Sequence, residues 1–75
     1  MTKLKEIRMN TGMSQSQLAK KSGVNVRVLQ HYEQGYKNID GANIETLLKL
    51  SCALNCQIYE ILENEEAREL VKATS

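Results

Sequence analysis

The chain has 75 residues, four glycines, no proline and 41% hydrophobic content, which describes one small domain with room for a single core. At this size folding buries roughly 60% of the unfolded surface, which argues against a deep catalytic pocket or a separate effector domain. Ten bases against nine acids leave a formal charge of +1, and that average argues against a polycation that coats nucleic acid. It conceals a split: residues 1–37 carry seven bases and two acids, or +5, whereas residues 38–75 carry three bases and seven acids, or −4. An asymmetry of this kind turns the first half toward something anionic and leaves the second to solvate or to face elsewhere.

Thr2 can cap a first helix whose apolar side is Leu4 and Ile7, and Gly12 stands where a left-handed residue closes it. Met13-Ser14-Gln15-Ser16-Gln17-Leu18 is a complete start signal: Ser14 and Gln17 can form a capping box, with Met13 and Leu18 as a hydrophobic staple. This second helix stops at Gly23. A third begins at once, capped by Asn25 and stapled by Val24 and Leu29, and it ends before Gly35. Two short helices joined by Ser22-Gly23-Val24-Asn25 are the signature of a helix-turn-helix, in which glycine permits the sharp turn and the next apolar residue plugs the angle between the helices. Residues 36–43 read as a loop, with Asp40 or Asn43 as the next cap. Ile44, Leu47, Leu48, Ser51 and Leu54 then fall on one face of a fourth helix, Asn55 can end it, and Ile58, Ile61 and Leu62 form the inner face of a fifth.

The order and spacing of Leu4, Ile7-Arg8, Gly12-Met13-Ser14-Gln15, Leu18-Ala19, Ser22-Gly23-Val24-Asn25, Leu29, Tyr32-Glu33-Gln34-Gly35, Thr46-Leu47-Leu48-Lys49-Leu50 and Ala53-Leu54 resemble the Cro and phage-repressor helix-turn-helix family, the XRE type. The resemblance covers about residues 3–63. It implies an all-α, compact five-helix lambda-repressor-like domain that lays the helix after the turn in the major groove of duplex DNA.

With Leu29 and Tyr32 facing inward, the third helix leaves Val26, Arg27, Gln30, His31 and Gln34 toward solvent. Arg27 suits a bidentate contact to guanine O6 and N7, Gln30 or His31 a base edge one turn later, and Val26 a thymine methyl. The family resemblance places Val26, Arg27 and His31 at its base-reading positions. Phosphate contacts are expected from the free amides around Ser14, Gln15 and Ser16, and from Gln34, Lys37 and Asn38 at the far end of the third helix. Gln15 matches the family's backbone-binding position, and Gln34 stands where asparagine is common. The resemblance also implies a structural ion pair between Arg8 and Glu33. Val28 departs from the family's usual serine or threonine, and the loop from Gly35 to Ile44 is about three residues longer than the common pattern.

Residues 1–63 therefore read as the DNA-binding domain, and residues 64–75 as an acidic C-terminal tail, helical or frayed. The expected partners are a double-stranded DNA operator, a second copy of the chain, and a protein contacting residues 64–75. The chain thus reads as a sequence-specific repressor acting by operator occupancy, with an antitoxin-like or anti-repressor interaction module as the alternative on the same fold. One histidine, no phosphate-cradling glycine loop and no paired acids leave no catalytic residue, and no cofactor or small-molecule ligand is expected. Cys52 and Cys56 lack metal-ligand spacing and read as core thiols, so no metal site is expected. Without a signal-peptide run or a membrane-length apolar stretch, the expected location is the cytoplasm.

Overall fold

A computed structural model describes residues 1–74. Six α-helices and one 3₁₀ turn follow in order: α1 Lys3–Asn10, α2 Gln15–Ser22, α3 Val26–Gln34, the 3₁₀ turn Ile39–Gly41, α4 Ile44–Leu54, α5 Ile58–Ile61 and α6 Glu65–Thr74. There is no strand among the described residues. The helix count is thus six where five were expected, because the acidic C-terminal segment adds a ten-residue helix.

Local chemistry sets most boundaries. Thr2 accepts from the amide of Lys5, Ser14 and Gln17 form the reciprocal capping box, and Asn43 accepts from Thr46, each occupying an amide that a helix start leaves unpaired. Asn55 ends α4 in the left-handed region at φ 53°. The core takes one fully buried side chain from each of the first five helices, namely Leu4, Leu18, Leu29, Leu50 and Ile61. Burying each contributes roughly 1.5–3 kcal/mol.

The inner face of α4 differs from expectation. Leu47, Leu50, Ser51, Ala53 and Leu54 are buried, whereas Ile44 and Leu48 remain 62% and 48% exposed. Both candidate stripes have helical spacing and share Leu47, Ser51 and Leu54, so periodicity alone could not rank them. Packing of α4 against α2 and α5 selects the Leu47–Leu50–Leu54 side.

The loop after α3 is ordered by its own residues. Ile39 is buried in the core, and Asn38 accepts from the Asp40 amide to open the 3₁₀ turn. Asp40 spends its carboxylate far along the chain, accepting from the amides of Glu63 at 2.9 Å and Asn64 at 3.0 Å. Asn64 in turn caps α6 by accepting from Ala67. Ala67 and Val71 then pack on the core, and Arg68 ties the helix back by donating to the Tyr59 carbonyl.

Candidate nucleic-acid interface

Two helix caps fix the angle between α2 and α3. Gly23 closes α2 at φ 78°, where a Cβ would be strained although nothing lies within 4 Å of it. Val24 is buried directly after it, and Asn25 Oδ1 accepts from the amides of Arg27 at 2.8 Å and Val28 at 3.4 Å. The first turn of α3 is thereby held from both sides, and it presents Val26 and Arg27 to solvent. Val28 points the other way, half-buried against the core.

One turn later the two remaining base-reading candidates are half-buried rather than free. Gln30 donates from Nε2 to Gln15 Oε1 at 3.3 Å, so its amide is turned toward α2. His31 meets the ring of Tyr36 edge-on, with centroids 6.0 Å apart. Tyr36 itself is 78% exposed, directly beyond the glycine that ends α3. Residue-by-residue reading passed it over. The available signal was an aromatic placed one residue after a helix-closing glycine, in a chain that has only three tyrosines.

The phosphate candidates lie at both ends of the motif. At the start of α2 the capping box occupies the amides of Ser14 and Gln17. The amides of Gln15 and Ser16 have no hydrogen-bond partner among the described residues and give the helix a positive end. At the end of α3, the amides of Tyr36 and Lys37 both donate to the His31 carbonyl, folding the chain tightly behind Gly35 and holding Lys37 close to the helix. Gln34, Lys37 and Asn38 are all exposed there, although Asn38 Oδ1 is engaged by Asp40.

A polar chain connects these ends through the interior. Arg8 donates from Nε to Glu33 Oε2 at 2.7 Å and from Nη2 to Oε1 at 3.0 Å, and its Nη1 reaches the Met13 carbonyl at 2.8 Å. The Glu33 side chain is 1% exposed and that of Arg8 10%, so the pair is withdrawn from water and stabilised by bidentate geometry. Glu33 Oε1 also accepts from Gln15 Nε2 at 3.0 Å, and Gln15 accepts from Gln30. The first three helices are thus joined by a run of side chains from Arg8 to Gln30, and no buried side-chain polar atom among the described residues is left unsatisfied. Gln15 is thereby oriented by residues on α3.

Electrostatics elsewhere is plain. Burial and the nearby Glu60 carboxylate push the Cys56 thiol up to about 11, which keeps it neutral, while Cys52 is exposed. The Lys49 ammonium beside Glu45 holds that carboxyl below its ordinary value. Among the described residues no cluster of three or more histidine, cysteine or acidic side chains could hold a metal ion, and no helix is long and apolar enough to cross a membrane.

A short capped helix, a glycine turn plugged by a buried valine, and a second capped helix presenting its first turn define the helix-turn-helix class of DNA-binding domains. The chain belongs to the helix-turn-helix family HTH_3, the Cro/C1 type of XRE transcription regulators, which it matches over residues 4–61. The match runs from α1 to the end of α5 and leaves α6 outside. No curated protein and no solved structure matches the chain.

Proposed function

We propose that this DNA-binding regulator represses transcription by occupying a specific operator with α3 in the major groove, excluding polymerase sterically. The observation that carries the reading is the first turn of α3: Val26 and Arg27 are exposed on a helix start locked by the Asn25 cap. Arg27 reads a guanine, Val26 contacts a thymine methyl, and His31 reaches a base edge one turn on with Tyr36 packed beside it. Gln30 acts by orienting Gln15. The amides of Gln15 and Ser16, with Ser14 before them, and Gln34, Lys37 and Asn38 bind phosphates and set the register. Residues 1–63 form the reading head. The protein works in the cytoplasm at the nucleoid, as two copies, because the chain carries a single reading helix, α3, and a long operator presents two major-groove faces about 34 Å apart.

The test is selection of a site from random duplexes, followed by anisotropy against selected and scrambled DNA at two salt concentrations. The selected site should bind at least ~10³-fold tighter. Arg27→Ala should cost about 1–3 kcal/mol and relax specificity at one position. Equal affinity for both duplexes would sink the specific reading, and an unchanged Arg27→Ala protein would sink the assigned reading head.

A further inference from the structure

Tyr36 is the most exposed of the three tyrosines, at 78%, whereas Tyr32 packs against the core and Tyr59 is half-buried with the Lys72 ammonium 5.6 Å from its ring centre. The core therefore does not account for the Tyr36 ring. Its backbone is nonetheless fixed on both sides. The Tyr36 amide donates to the His31 carbonyl at 2.9 Å, and the Lys37 amide donates to the same oxygen at 3.2 Å. A few residues on, Ile39 is buried in the core and Asn38 accepts from the Asp40 amide. A segment anchored at both ends keeps its place without a ligand, so presenting Tyr36 at the DNA surface carries little further ordering cost.

The ring so presented meets His31, edge-on at 76° with centroids 6.0 Å apart, an arrangement in which aromatic rings attract beyond the area they bury. His31 stands four residues after Arg27, so the two share one face of α3. A neutral imidazole carries a donor on one ring nitrogen and an acceptor on the other, and what it reads on a base edge depends on which nitrogen is turned out. A ring lodged beside it narrows the orientations open to it. Half-burial of His31 against an exposed Tyr36 fits this division, one side chain held and the other holding.

We infer that Tyr36 is a positioning residue for base recognition: its ring keeps the His31 imidazole in one orientation, so that discrimination at the base pair read by His31 depends on a residue outside the reading helix. The inference rests on the reading of α3 above and deepens it. The helix ends at Gln34, and the turn behind Gly35 sets its last base contact. The aromatic ring does this work and the hydroxyl does not, so phenylalanine is an adequate replacement and an aliphatic side chain is not.

The test uses the full chain, the selected duplex and its single-base-pair variants, read by anisotropy at fixed salt. His31→Ala marks the base pair that His31 reads. Tyr36→Leu should lower discrimination at that same base pair by ~3–10-fold and leave the position marked by Arg27→Ala unchanged, while Tyr36→Phe keeps the original profile. Adding Tyr36→Leu to His31→Ala should change the profile no further, as two residues acting through one contact require. The helical spectrum and melting temperature of Tyr36→Leu should match those of the original protein, because the side chain is exposed. His31 is the chain's single histidine, so its ring protons report alone in proton NMR of the free protein: Tyr36→Leu should shift them, and Tyr36→Phe far less. Uniform weakening across all duplexes, a phenylalanine variant as poor as leucine, or His31 resonances indifferent to Tyr36→Leu overturns the inference. If Arg27→Ala relaxes one position and His31→Ala relaxes none, the positioning role falls and the reading head stands. If neither relaxes any position, the reading of α3 falls with it.

Discussion

Glu33→Ala removes the acceptor that neutralises Arg8 in the interior. In the intact protein Glu33 accepts twice from Arg8 and once from Gln15, with its side chain 1% exposed. Truncation leaves a guanidinium almost without water and with one remaining partner, the Met13 carbonyl. Breaking a buried pair on one side costs about 3–5 kcal/mol. A domain of this length has a total stability of roughly 4–11 kcal/mol, so the single substitution takes a large fraction of it. Arg8→Met with Glu33→Leu removes both charges at similar volume, and the double variant should recover to within about 1 kcal/mol of the original. Urea unfolding followed by helical circular dichroism measures all three proteins. A loss below about 1 kcal/mol for Glu33→Ala, or a double variant no more stable than the single one, would refute the view that an orphaned buried charge dominates this site.

Other outcomes follow from the same geometry. Gly23→Ala should cost about 1 kcal/mol by thermal melting because its φ is 78°, while Gly41→Ala, with open space around it and no positive φ, should be neutral or slightly stabilising. Lys37→Ala should lower the log–log salt slope of DNA binding by about 0.9 if that side chain neutralises one phosphate. Asp40→Ala should cost roughly 1–2 kcal/mol and raise amide exchange in α6 selectively, since two amides at its approach lose their acceptor. The Cys56 thiol is raised in the fold to about 11, so the unfolded chain ionises first; stability should decline between about pH 9 and 11, and less so for Cys56→Ser in parallel titrations.

Where structure is decided within three or four residues, the sequence announces it. The capping box at Ser14 and Gln17, the caps at Thr2, Asn25 and Asn43, and the left-handed positions at Gly23, Gly35 and Asn55 all follow from local donor, acceptor and steric rules. What it hid is set by distant partners. Ile39 sits in a stretch that reads as polar loop yet is buried, because the loop folds under the core. The break at Leu62, Glu63 and Asn64 resets helical phase, so Ala67, Leu70 and Val71 look out of step with α5 although α6 packs beside it. At the interface, the exposure of Val26 and Arg27 could be deduced by subtracting the core face of α3. The turning of Gln30 toward Gln15 could not, since its partner lies on another helix fifteen residues away.

The loop between α3 and α4 has a consequence for how this protein can vary. Through Asp40 it holds the two amides that lead into α6, so a loop near the middle and the helix that lies beyond the family match are halves of one part. Each supports the other: trimming the loop removes the acceptor of those amides, and dropping the helix leaves the Asp40 carboxylate to water. Relatives that carry the short loop are expected to lack this last helix or to fasten it by other means. Grafting either segment onto such a relative should succeed only when both are moved together.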